Sequence, residues 1–327
     1  MQRTLAKAVE IASRAVFGAP DIGDWVLEKA PSASALLRLA QNLALYKLGS
    51  RAAPNIVSLG FEPVYGCNLR CQYCWGALKA EPGKQRPEFM SMELYQRALD
   101  TAPASVASAN FVGWGEPLRN SSLPDMIDAA AERGLATNLT TNCTLLRGAV
   151  LERLAASKLT VLNVSTEPDA ATAKAYRGVA LETLRENVAA FAGKNGGRAR
   201  IKLSVVVHPG NESVLHRLWQ TWDGLAEYAK LIPMFSLSPE PLRHSLCLEP
   251  WRGHLTVLTD GHVTPCCGDM WHDLSIGNLH NAGLRELARS DAYRALRTAM
   301  RRGQLPERCQ HCQEYVPQGV PNKTLRK

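Results

Sequence analysis

Three cysteines in residues 65–76, YGCNLRCQYCWG, have the most specific spacing in the chain. Cys67, Cys71 and Cys74 form a C-x3-C-x2-C pattern, with Tyr73 just before the last of them. The set is one ligand short of a structural zinc site and odd for a disulfide framework. Three thiolates in one tight loop can hold three irons of a cubane [4Fe-4S] cluster and leave the fourth iron without a protein ligand. A small molecule can bind that open iron by chelation.

A second set lies late in the sequence. Cys247 is followed after 18 residues by Cys266 and after 42 more by Cys309, and Cys309-x2-Cys312 closes it. Four thiolates can ligate a cubane completely, and they can equally hold a tetrahedral zinc. Cys143 and Cys267 bring the total to nine. Clustered cysteines in a reducing compartment point to metal rather than disulfides. His208, His254, His262 and His311 show no metal-site spacing.

These loops need rigid elements behind them. From residue 55 to 240, short β-rich runs (55–64, 109–116, 135–142, 159–167, 198–208 and 231–238) alternate with helical ones (90–102, 122–134 and 181–194). Ser122 with Asp125 reads as a capping-box start for the second helix. Six strands separated by helices imply an α/β fold with a parallel sheet wound in right-handed βα units. Six units are too few for a closed eight-stranded barrel, so a partial (β/α)6 barrel is expected. Chemistry in such sheets gathers at the C-terminal ends of the strands, and the three-cysteine loop follows the first strand there.

Residues 1–54 read as an amphipathic helical extension ending near Pro54, with Leu36, Leu39, Leu43 and Tyr46 at helical spacing. Residues 241–315 read as a small cysteine-bearing module. In it a hairpin (254–259, a two-residue Asp260-Gly261 turn, 262–265) precedes a helix over 283–303. Residues 316–327 form a basic tail.

Hydrophobic content of 46% and charged content of 21% fit a globular protein. There is no apolar run of membrane-spanning length and no secretory signal pattern, so a cytoplasmic location is expected. Net charge is +8, and residues 291–327 hold eight Lys/Arg against three acids. That excess reads as a solvated basic face or a surface for an anionic partner. A nucleic-acid-binding role would need an aromatic-basic recognition motif, which is missing, so no nucleic-acid partner is expected.

The C-x3-C-x2-C loop with an aromatic before its third cysteine, after the first strand of a βα series, resembles the radical S-adenosylmethionine (SAM) family. The resemblance implies that SAM chelates the open iron and is cleaved reductively to a 5′-deoxyadenosyl radical that abstracts a substrate hydrogen. Gly113-Trp114-Gly115-Glu116-Pro117 is similar to the family's Gly-Gly-Glu motif. Thr140-Thr141-Asn142-Cys143 resembles its third-strand Thr-Asn-Gly, with Cys143 in place of glycine. By the same resemblance Tyr73 offers a ring beside the cluster, and Asn142 belongs to the pocket. Ser165 and Glu167 face the SAM ribose, and Arg177 pairs with the SAM carboxylate.

The stretch from Cys247 to Cys312 resembles the SPASM/twitch extension of these enzymes, with Cys247, Cys266, Cys309 and Cys312 around one auxiliary [4Fe-4S] cluster. Cys143 and Cys267 are then candidate hydrogen-atom donors to a product radical. The resemblance also implies an external electron donor such as flavodoxin or ferredoxin. The substrate stays open among a small molecule, a lipid-linked molecule and a peptide. Helical patterning in residues 1–54 gives no strand to pair with a peptide, which inclines the expectation toward oxidation of a non-peptide substrate. Those helices would also suit peripheral membrane contact.

Overall fold

The computed structural model describes residues 32–74, 87–237, 247–269, 271–314 and 324–326. Most of the N-terminal extension (1–31) and most of the basic tail lie outside the described residues, so their expected helices and membrane contact do too.

Six parallel strands form the centre of the molecule: β1 (Ser58–Phe61), β2 (Ser108–Phe111), β3 (Ala136–Thr141), β4 (Val161–Thr166), β5 (Arg200–Val207) and β6 (Tyr228–Pro233). They pair in sequence order, as right-handed βα winding requires. Each expected run holds a strand with shifted ends; β2 and β6 start earlier than expected, and the last run, 231–238, covers only the end of β6 and the short β7 (Phe235–Leu237). The C-terminal region adds β8 (His254–Val257), β9 (His262–Thr264), β10 (Gly277–Asn278), β11 (Cys312–Glu314) and β12 (Thr324–Arg326). The large sheet runs β10-β9-β8-β1-β2-β3-β4-β5-β6-β12, and β7 pairs with β11.

The hairpin of the cysteine-bearing module joins the barrel sheet itself: β8 pairs in parallel with β1, Ser58 opposite His254 and Phe61 opposite Val257. The spacing of residues 254–265 predicts the hairpin but not its place in the barrel sheet. Its turn is also longer than expected. Leu258 N–H donates to His262 O (2.9 Å) and Gly261 N–H to Leu258 O (3.0 Å), leaving a three-residue loop with Gly261 at φ +83°. A left-handed third residue is usual in three-residue hairpin loops.

One face of the sheet is apolar and packs on the helices. Leu59, Phe61, Ala109, Phe111, Leu139, Leu162 and Val164 are buried in a single core. Helix Met92–Asp100 docks there with Leu94, Tyr95, Ala98 and Leu99 buried, its first turn capped by Ser91. Each buried leucine there is worth about 1.5–3 kcal/mol. Tyr95 stacks edge-on against Phe61 at 4.7 Å, and its hydroxyl donates to Met126 O (2.6 Å). Ser122 precedes helix Leu123–Glu132 but its side chain makes no capping bond. Asn120 Oδ1 instead accepts from Ser122 N–H (2.9 Å), so the capping-box expectation fails. The helix expected over 283–303 breaks in two, Leu284–Leu287 and Asp291–Arg301.

The opposite face is polar. Asn110 donates to Ser58 Oγ (2.9 Å), Asn138 to Asn110 Oδ1 (3.0 Å), Asn163 to Thr140 Oγ1 (2.9 Å) and Ser204 to Asn163 Oδ1 (2.7 Å). All of these except Thr140 are buried. Buried polar groups that satisfy one another define a single arrangement, and this ladder crosses β1 to β5 beneath the strand ends.

Helix Ala33–Lys47 is capped by Ser32 and buries Leu36, Leu39 and Leu43, the face its spacing predicts. Tyr46 meets Trp251 edge-on at 5.3 Å, and the Arg301 guanidinium lies over both rings at 4.5 and 4.9 Å. Some of the late basic charge therefore covers aromatic surface. Among the described residues no helix is long and apolar enough to cross a membrane.

Candidate active site

The cysteine loop leaves β1 at its C-terminal end, and three neighbours shape it. The β2 exit supplies the closest contact. Glu116 N–H donates to Gly66 O (3.1 Å). A Cβ on Gly115 would lie 2.2 Å from Val64 O and 2.6 Å from Gly66 O. The Gly115 requirement is therefore backbone-to-backbone packing against the cysteine loop. Gly115→Ala is expected to displace that loop, lowering reconstituted iron toward half of wild type while the helical circular dichroism signal persists. Iron analysis checks it.

The β3 exit supplies the second contact. Asn142 Nδ2 donates to Asn68 Oδ1 (3.1 Å) and lies 3.7 Å from Cys67 Sγ. Asn68 Nδ2 in turn donates to Thr144 Oγ1 (2.8 Å). The third contact comes from the π-helical turn Ala173–Arg177 after β4. Tyr176 O accepts from Gln72 N–H (2.9 Å), and Ala175 O from Gln72 Nε2 (2.8 Å). Local π turns recur at functional sites.

A cavity of about 260 Å³ opens at these strand ends. Cys67, Cys71, Cys74 and Tyr73 line it on one side, and Gly113, Gly115, Glu116 and Asn142 on another. Ser165 and Arg177 complete the polar lining, beside an apolar wall that includes Val112, Val206 and Ile232. Pro117, Glu167 and Cys143 do not line it.

Glu116 is almost fully buried, with both oxygens engaged by the protein. Oε1 accepts from Thr141 Oγ1 (2.6 Å) and Leu118 N–H (3.0 Å), and Oε2 from Asn142 N–H (2.8 Å). Burial pushes its pKa up while these three donors oppose the rise. Its carboxylate thus ties the β2 and β3 exits together at the cavity wall. Pro117 opens the 3-10 turn that follows.

Arg177 is 7% exposed, and its Nη2 donates to Ser165 Oγ (2.6 Å) while Nη1 donates to Ser165 O. Its charge lies close enough to Cys71 to oppose the rise that burial imposes on that thiol. Glu167 sits behind the wall, fully buried, and accepts from Tyr73 Oη (2.5 Å) and Asn211 Nδ2 (2.8 Å). His208, passed over at the sequence level, packs beside it, 3.7 Å from Nε2 to Glu167 Oε2.

Cys143 takes φ +58°, a left-handed conformation that favours glycine, which accounts for the glycine of the family motif at this place. Its thiol is fully buried in the hydrophobic core and approaches Thr141 O at 3.8 Å. Burial drives its pKa well up. The structure therefore gives Cys143 a core position rather than an exposed donor position.

The second cysteine set also converges. Burial raises the pKa of Cys247, Cys266 and Cys309, and a neighbouring thiol of the set adds to each rise: Cys309 for Cys247, Cys247 for Cys266 and Cys312 for Cys309. Cys267 is exposed next to Cys266. Asp269 organises the loop after these two. Oδ2 accepts from Thr264 Oγ1 (2.8 Å) and Leu274 N–H (2.9 Å), and Oδ1 from Asp273 N–H (3.0 Å). Arg308 pairs with Asp273 (2.5 Å) and stacks on Trp271 (3.7 Å), pinning the Cys309 turn to that loop. A single zinc needs its sulfurs about 2.3 Å from one point. Among the described residues no three Cys, His, Asp or Glu side chains form a group able to hold one metal ion. Seven thiols in a three and a four suit larger iron–sulfur groups.

A parallel βα sheet with three thiols at its first strand exit and a later set of four suits an iron–sulfur enzyme. The chain belongs to the radical SAM superfamily, with a C-terminal SPASM-type domain for auxiliary iron–sulfur binding. Residues 61–213 match the radical SAM superfamily and residues 247–313 the iron–sulfur cluster-binding (SPASM) domain. SAM and a [4Fe-4S] cluster go with the first, auxiliary iron–sulfur binding with the second.

The PqqA peptide cyclase of Granulibacter bethesdensis is 30% identical over 158 residues, 48% of this chain and 41% of that protein. The mycofactocin maturase MftC of Mycobacterium ulcerans is 31% identical over 159 residues, 46% of this chain and 40% of that protein. The match thus spans about two fifths of these relatives. In fold the chain resembles Streptococcus suis SuiB bound to its precursor peptide SuiA, with TM-score 0.60 at 15% identity over 80% of this chain and 71% of SuiB. It also resembles BtrN in complex with AdoMet and 2-DOIA, with TM-score 0.55 at 16% identity over 83% of this chain and 98% of BtrN.

Proposed function

We propose that this radical SAM enzyme modifies a peptide, and that its auxiliary cluster takes up the second electron of an oxidation. The observation that carries the peptide reading is the pair of curated relatives just described, a peptide cyclase and a maturase, each about 30% identical across nearly half of this chain. They outweigh the inclination toward a non-peptide substrate drawn from residues 1–54, of which 1–31 lie outside the described residues.

Cys67, Cys71 and Cys74 would hold the cluster with the open iron, and Cys247, Cys266, Cys309 and Cys312 the auxiliary one. When bound, the first cluster and SAM supply one-electron cleavage chemistry that generates a hydrogen-abstracting species. The chain's own part is to position and to exclude water. Arg177 brings a buried positive charge to the cavity wall, where a carboxylate can meet its planar donors. Ser165 and Asn142 add polar atoms, and Val112, Val206 and Ile232 give the lining its apolar part. An external one-electron donor such as flavodoxin or ferredoxin completes the scheme.

The test is an anaerobic reaction of the reconstituted protein with SAM, reductant and each short peptide encoded beside its gene, followed by mass spectrometry. The expected result is 5′-deoxyadenosine formed together with a mass change in one peptide. If no peptide changes mass while a small molecule from a cell extract does, the peptide reading fails and the non-peptide one replaces it.

A further inference from the structure

His208 follows β5 directly, is 3% exposed, and lies outside the cavity lining. Its ring is held between Tyr73, at 5.0 Å between centroids, and Tyr176, at 4.3 Å. Gly210 N–H donates to Nδ1 (3.2 Å). An Nδ1 that accepts carries no proton, so the ring hydrogen is on Nε2. Nε2 is buried without a hydrogen-bond partner, 3.7 Å from Glu167 Oε2, against about 2.9 Å for a usual N–H···O bond.

Arg177 Nε is in the same situation, buried without a hydrogen-bond partner and 4.0 Å from Glu167 Oε1. One fully buried carboxylate therefore has two bonded donors, Tyr73 Oη and Asn211 Nδ2, and two more within reach. Tyr73 lies inside the Cys71–Cys74 turn, and Arg177 bonds Ser165 and stands beside Cys71. The Tyr176 ring that flanks His208 belongs to the residue whose carbonyl holds Gln72. Three lines from Glu167 and His208, through Tyr73, Arg177 and Tyr176, lead to the cysteine loop.

We propose that His208 is a positioning residue for the SAM-binding cluster: its Nε2–H holds Glu167 in place, Glu167 holds Tyr73 and Arg177, and these two fix the Cys71–Cys74 turn and the wall that SAM meets. The inference rests on the cofactors of the superfamily and not on the substrate reading. Groups behind metal ligands commonly change affinity by about 10- to 100-fold when lost.

The two ring nitrogens can be tested apart. His208→Asn keeps an acceptor where Nδ1 receives Gly210 N–H and removes the donor toward Glu167. His208→Gln keeps a donor near the Nε2 position and removes the acceptor. The readout is the change that added SAM makes in the electron paramagnetic resonance spectrum of the reduced protein, titrated to a dissociation constant. His208→Ala and His208→Asn are expected to weaken SAM binding about tenfold or more, with His208→Gln within about threefold of wild type.

Equal affinity in all three variants and wild type overturns the proposal. So does His208→Gln binding as weakly as His208→Asn, which would make His208 a shaper of the Gly210 turn only. Should His208→Ala fail to fold, the Asn and Gln variants still decide. Failure of both to fold also overturns it, since His208 would then serve the fold. A wild-type spectrum indifferent to SAM overturns the cofactor assignment and this proposal with it.

Discussion

Replacing Cys67, Cys71 and Cys74 together by Ala is expected to abolish SAM cleavage and leave about half the iron. A cubane at each thiol set gives roughly eight irons per chain, and the triple variant keeps only the auxiliary four. The loss should be complete because four thiolates would ligate the remaining cluster fully and leave SAM no open iron. The loop itself should survive, since its anchors are Gly66, Asn68, Gln72 and Tyr73 rather than the sulfurs. Iron and sulfide analysis beside 5′-deoxyadenosine measurement checks both halves. Iron unchanged from wild type would mean that these cysteines do not hold a cluster.

The second large effect concerns the other thiol set. With Cys309 and Cys312 both changed to Ala, 5′-deoxyadenosine should still form while oxidised product disappears. The Cys309 turn is pinned by Arg308 to Asp273 and Trp271, so removing the sulfurs leaves its protein anchor in place. Product mass in deuterated water separates the outcomes. Oxidation gives wild-type product about two mass units lighter than substrate, independent of Cys143 and Cys267. An isomer carrying one solvent deuterium, lost on changing Cys267, would instead show quenching by a hydrogen atom and sink the electron-acceptor role. Cys143, fully buried in the core, is expected to be dispensable in either case.

Several of these features were legible in the sequence because they are local. The strands and the three-cysteine loop follow from periodicity and spacing within a dozen residues. Leu36, Leu39 and Leu43 face inward as their spacing predicts. What stayed hidden depends on partners distant in sequence. Glu167 reads as a strand-end acid facing a ribose, yet its geometry is set by Tyr73 and Asn211, 94 and 44 residues away. His208 carries no motif, and its place shows only once β5 lies beside β4. The polar ladder from Ser58 to Ser204 joins side chains of five strands, so the face it makes exists only once those strands are paired. Ser122 had the residue types of a capping box, and a competing local bond from Asn120 displaced it.

The pairing of β8 with β1 has a consequence for how the molecule is made. β1 receives one of its two neighbours from a strand about two hundred residues later in the chain. At translation rates of about 5–20 residues per second, its outer edge stays bare for about 10–40 s after β1 emerges. An unpaired edge of this kind invites pairing with other chains. The anchors of the cysteine loop, the latest of them Tyr176, all precede β8 in the chain, so the loop can be assembled while that edge of β1 is still bare.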